Sequence, residues 1–139
     1  MVDPVPNLAE TTRDRLERGR EILARICGTS GEEVLDALNE ISPALGHQIV
    51  AWAYGDIYSR PALDPRSRQL VTLGMLAALG GCERELTVHA KAALTAGLTS
   101  DELLETALHS AVYCGFPRAM EFMFTIKKVL AEHELLSAT

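Results

Sequence analysis

Helix punctuation constrains this chain more than any other feature. Ser42 is followed by Pro43 and Asp64 by Pro65, each a side-chain cap with proline at the first helical position. Thr99 with Glu102 forms a capping box, and Ser30 with Glu33 offers another. Gly28 to Gly31, Gly80 with Gly81, Gly97 and Gly115 are stop signals, and Pro117 opens a last helix. Between these marks the apolar residues recur at helical spacing: Leu16, Leu23, Ile26 and Cys27, then Val34, Leu35 and Leu38, and finally Phe122, Met123, Ile126, Val129 and Leu130. The pattern predicts an all-α fold of about six to seven helices. One helix should stop at Gly28 to Gly31 before a short one capped by Ser30, and another should run from Ser42 to about Gly55. The stretch from Gly55 to Asp64 reads as a helix end plus a loop, a candidate wall of a site. Leu70 to Leu79 is apolar on every side except Thr72 and Gly74, so this helix should be buried all round, inside the domain or against another subunit.

At 139 residues the chain has the size of one domain, expected over 1–139 with a flexible arm over about 1–9 that contains Pro4 and Pro6. Hydrophobic residues make up 47% and aromatics only 5%, which suits helices packed through small and straight-chain side chains. A net charge of -6 and the lack of any Lys/Arg cluster exclude a phosphate-binding surface, so nucleic acid is not an expected partner. No basic segment precedes an apolar run at the N-terminus, and no apolar run reaches the ~20 residues a membrane span needs. A cytoplasmic protein with no membrane partner is expected. Cys27, Cys82 and Cys114 form no C-x-x-C pair, and an odd number suits reduced thiols.

Residues three, four and seven apart share a helix face, so Cys82, Glu85 and His89 should make one polar stripe flanked by Ala92, Ala93 and Ala96. A Glu four residues before a His can orient the imidazole or raise its pKa, which suits a proton donor near neutral pH. The same spacing also describes an ordinary surface pair, and spacing alone does not decide. Glu105, His109 and Tyr113 repeat the geometry on the next long helix, where packing or an interface is the simpler reading. His47 and His133 carry less. No metal-ligand spacing, Gly-rich nucleotide loop or serine-hydrolase elbow occurs, so no metal and no cofactor is expected. Cofactor-free acid–base chemistry, or no chemistry, remains.

Five blocks in order carry a family resemblance: Trp52 to Leu63, Arg68-Gln-Leu-Val-Thr-Leu73, Glu85-Leu-Thr-Val-His89, Ala96 to Glu102, and Ala111-Val-Tyr-Cys-Gly-Phe-Pro117. Together they make the chain resemble the carboxymuconolactone decarboxylase family, part of the alkyl hydroperoxidase D-like superfamily, from about Leu16 to Glu134. Peroxidase relatives carry C-x-x-C-x-x-x-H and an acid on the preceding helix. Here Glu85 replaces the second cysteine and Gln69 stands at the acid's position, so a dithiol cycle cannot run and a thiol peroxidase is disfavoured.

The resemblance implies a cofactor-independent decarboxylase acting on an unsaturated lactone acid of the carboxymuconolactone kind, as in the protocatechuate/3-oxoadipate route of aromatic-acid breakdown. It implies His89 as proton donor or oxyanion partner oriented by Glu85, with Arg60 and Arg68 holding carboxylates. Trp52 and Tyr58 would shape the pocket and Cys82 would line its rim. A helical bundle assembled as a homo-oligomer, trimer or hexamer, is implied as well, with a small carboxylic acid as partner. A tailoring enzyme for another small keto or vinylogous acid, and a non-catalytic ligand-binding oligomer, are the alternatives.

Overall fold

The computed structural model describes residues 11–134, so the expected arm at 1–9 lies outside the described residues. Every regular element within them is helical, in agreement with the all-α expectation, and the chain divides into two compact units at Ala62 and Leu63.

The first unit holds α1 (Thr12–Asn39), α2 (Pro43–Gln48) and a π-helix (Ile49–Tyr58). Thr11 and Asp14 close a capping box at the start of α1. The anticipated stop at Gly28 to Gly31 is a one-residue kink instead. Only Gly28 is non-helical, at φ 53° and ψ −147°, a conformation open to glycine, and the helix resumes without a separate cap at Ser30. Ser42 caps α2 with Pro43 in its first turn, as expected. The helical run passes Gly55 and ends only at Tyr58, so the expected loop begins later than the sequence suggests.

Glycine explains how closely α1 and the π-helix approach. A Cβ at Gly19 would lie 1.9 Å from the Val50 carbonyl oxygen, and one at Gly55 would lie 2.5 Å from that of Arg15. Around this contact Ile22, Leu23, Cys27, Val50, Ala51 and Tyr54 are buried. The Cys27 Sγ and Tyr54 Oη lie 3.1 Å apart, which satisfies both groups inside the unit. Arg15 and Arg18 both engage Asp56, at 2.5 and 3.2 Å, and Arg18 Nε also donates to the Gly55 carbonyl at 2.6 Å. These contacts satisfy a backbone carbonyl and side chains near the end of the π-helix.

The second unit is a four-helix cluster of α3 (Pro65–Leu79), α4 (Glu83–Thr95), α5 (Ser100–Cys114) and α6 (Phe116–Glu132). Helix α3 packs on α4 and α5, and α6 packs on the same two, so the four stand at the corners of a square. Asp64 caps α3, Thr99 and Glu102 form the capping box of α5, and Gly80 and Gly115 end α3 and α5 at positive φ. The core contains Leu73, Leu86, Leu103, Phe122, Ile126, Val129 and Leu130 with alanines between them. Arg66 bridges to Glu102, Lys91 to Glu132 and Lys128 to Glu83, linking helices at the rim.

Of the two ways expected for burying α3 all round, the single chain does not supply the first: α3 buries Gln69, Leu73 and Ala77, whereas Leu70, Val71, Met75 and Leu79 are exposed. Within this unit α4, α5 and α6 all pack against the face of α3 that carries Leu73 and Ala77.

Candidate active site

Helix α4 begins at Cys82, its N-cap, whose Sγ donates to the Gly80 carbonyl at 3.4 Å. One turn later Glu85 is exposed, and His89 follows, half-buried, between the core residues Leu86, Ala90 and Ala93. Cys82, Glu85 and His89 therefore lie along one side of α4 at the spacing read from the sequence.

The partner that meets the imidazole comes from the neighbouring helix. His89 Nδ1 lies 3.0 Å from the Gln69 side-chain carbonyl oxygen. With that oxygen as acceptor, Nδ1–H donates, and in the neutral ring Nε2 is the unprotonated nitrogen. Gln69 is almost fully buried, 1% exposed, one residue after Arg68 on α3. A buried amide held against a half-buried imidazole locks both side chains. Its neutrality matters too: an acid here would draw a proton onto the ring.

Burial pushes the His89 pKa from 6.5 down to about 4, and the charge of Glu85 opposes that fall without cancelling it. The resting imidazole is therefore neutral at pH 7. Glu85 acts on the ring through its field, while Gln69 makes the orienting bond. Gln69 was legible only as the residue standing where an acid is found in peroxidase relatives, and its reach to His89 depends on how α3 packs on α4.

The other candidate residues fall on both units. Arg68 is half-buried in the first turns of α3. Trp52, Tyr58 and Arg60 belong to the first unit. Trp52 projects from the π-helix with 57% exposure, Tyr58 stacks on Tyr54 with ring centroids 4.8 Å apart, and Arg60 is half-buried just beyond the helix end. The sulfurs form no disulfide. Among the described residues no group of three or more His, Cys, Asp or Glu could hold a metal ion, and no helix is long and apolar enough to cross a membrane. The second unit also has a cleft of about 450 Å³ between α3 and α5, and His89 is not among its lining residues.

Comparison with known proteins gives the family. The model of the Carboxymuconolactone decarboxylase family matches residues 43–127. The chain is 34% identical over 119 residues to 4-carboxymuconolactone decarboxylase of Acinetobacter baylyi, covering 85% of this chain and 88% of that protein. It is 33% identical over 130 residues to nitrosuccinic acid decarboxylase npaB of Metarhizium robertsii, covering 88% and 89%. An uncharacterized 15.0 kDa protein of Paracoccus denitrificans is 26% identical over 121 residues, covering 86% and 90%. With a family match over more than half its length and two relatives above 30% identity along most of it, the chain belongs to the carboxymuconolactone decarboxylase family.

Proposed function

We propose that the protein is a cofactor-independent decarboxylase whose proton-transfer group is His89, positioned by Gln69. The observation that carries the reading is the 3.0 Å bond between these two side chains in a chain of this family. Its substrate is a small acid whose departing carboxylate sits where the electron pair left behind can be accepted by a conjugated carbonyl or a comparable group. A carboxymuconolactone-like acid meets that requirement, and so does an acid with a nitro group next to the carboxylate, as the names of the two similar decarboxylases suggest.

The chemistry follows from the state of the ring. With the site empty, His89 is neutral and cannot donate from Nε2. An anionic substrate beside it raises the proton affinity of the imidazole, so binding brings in a proton and forms the imidazolium. The C–CO2 bond then breaks, its electron pair moves to the acceptor oxygen, and carbon dioxide leaves. The Nε2 proton transfers to the carbanionic carbon and the neutral ring is restored. Nδ1–H stays bonded to Gln69 throughout, which holds Nε2 in one direction. Arg68 is proposed to hold a substrate carboxylate, and Cys82 to line the rim. For Trp52, Tyr58 and Arg60 a substrate-binding role is proposed from the family resemblance.

The exposed apolar residues Val71, Met75 and Leu79 of α3, with Leu108 and Val112 of α5 and Phe116 and Met120 of α6, support assembly into a homo-oligomer, since so much apolar surface is uncommon on a monomer. Light scattering should give a trimer or hexamer, and a monomer would overturn that part.

The test is carbon dioxide release from 4-carboxymuconolactone and from nitrosuccinate with purified protein, beside a peroxide-reduction control with a dithiol. Turnover on either acid supports the reading and separates the two substrates. Peroxide reduction with neither acid consumed would refute it.

A further inference from the structure

Glu105, His109 and Tyr113 project from α5 at one-turn intervals into the cleft between α3 and α5, where Leu70, Gly74 and Cys114 supply apolar walls. The decarboxylation proposed above uses none of these groups. At about 450 Å³ the cleft has the size of a small-molecule site.

Gly74 is the first sign that the space has a use. Glycine inside a helix costs about 1 kcal/mol relative to alanine, so it needs a reason. At Gly19 and Gly55 the reason is backbone contact, but a Cβ at Gly74 would meet nothing within 4 Å. Among the described residues no group requires Gly74 to be small, and its missing side chain leaves the cleft open.

Hydrogen-bonding capacity then selects the occupant. The Thr106 hydroxyl donates to the Glu102 carbonyl and the Ser110 hydroxyl to the Ala107 carbonyl, both at 2.7 Å, so these two lining residues can only accept from a ligand. The Glu105 carboxylate also only accepts, and it makes no ion pair among the described residues. His109 and Tyr113 stand edge to face, with ring centroids 5.8 Å apart and planes at 63°. Tyr113 stands at the mouth, 83% exposed in the single chain, where its ring can stack on a flat molecule. His109 and Tyr113 can each donate as well as accept, but Glu105 is the one carboxylate among the lining residues, and it favours a ligand that brings a donor or a positive charge over an acid.

We propose that the α3–α5 cleft is a second binding site, separate from His89, which takes a small aromatic or similarly flat molecule bearing an ammonium or another strong hydrogen-bond donor, with Glu105 as its counter-ion. Calorimetric titration of the intact protein with benzylamine, benzyl alcohol and benzoate tests it. Benzylamine should bind once per chain, at least about tenfold more tightly than benzoate, with benzyl alcohol between them. Glu105→Gln, a substitution at an exposed position, should erase the preference for the amine. Gly74→Leu should fill the cleft and abolish binding without lowering the melting temperature. Benzoate binding as tightly as benzylamine, or amine binding indifferent to both substitutions, overturns the proposal. So does an absence of amine binding combined with a changed oligomer mass in Gly74→Leu, which would assign the cleft to a side chain of a second copy. None of these three results bears on decarboxylation, so the two readings fail independently.

Discussion

His89 Nδ1 and the Gln69 side-chain oxygen lie 3.0 Å apart, and this contact joins α3 to α4 at a ring that burial keeps neutral. An amide can hold such a ring without charging it, whereas an acid in the same place would favour the imidazolium. In the proposed mechanism this difference sets when the ring takes up its proton.

Replacing the ring tests its role directly. His89→Gln should lose at least ~100-fold in turnover while helix content and oligomer mass persist. Near-normal decarboxylation by this variant would remove His89 from the chemistry.

The two ways of changing Gln69 should differ. Gln69→Leu keeps the volume but leaves a half-buried ring N–H without its acceptor, a loss of about 1–3 kcal/mol in stability, and turnover should fall at least about tenfold. Gln69→Glu should instead move the His89 titration upward, readable by NMR of the ring protons. If neither variant changed the titration or the rate, Gln69 would be a packing residue only.

The pH dependence of stability carries a sign that identifies the ring. The folded pKa of His89, about 4, lies below the unfolded 6.5, so the unfolded chain binds more protons between these values. Stability should be full above pH 6.5 and decline as pH falls toward 4. Asp56, held low by Arg15 hydrogen bonding, contributes a separate loss only as pH falls below 3.8. Urea unfolding of wild type and His89→Gln from pH 4 to 7.5 should show the upper window flattened in the variant. An unchanged slope would contradict the depressed pKa.

Close approach in the first unit makes Gly19 intolerant. Gly19→Ala would push a Cβ to 1.9 Å from the Val50 carbonyl oxygen, forcing α1 and the π-helix apart, at a cost of at least about 1–3 kcal/mol. Denaturant titration should show this directly. A variant as stable as wild type would mean the two helices can separate without loss.

Much of the fold was legible because its signals are local. Ser42, Asp64, Thr99 with Glu102, Gly80 and Gly115 act on backbone groups within a turn, and each begins or ends a helix where the sequence says it should. The stripe of Phe122, Ile126, Val129 and Leu130 is core because apolar side chains at that spacing share a face. The Cys82, Glu85 and His89 line was legible for the same reason.

Tertiary structure decided what local signals do not encode. Gly28 can break a helix or merely kink it, and the structure shows a kink. Helix α3 is apolar almost all round, yet in the single chain its Leu73 and Ala77 are buried while Val71, Met75 and Leu79 are exposed. The pairing of His89 with Gln69, 20 residues apart, arises from the packing of α3 on α4. A residue's partner on its own helix follows from 3.6 residues per turn, whereas its partner on another helix depends on how the two pack.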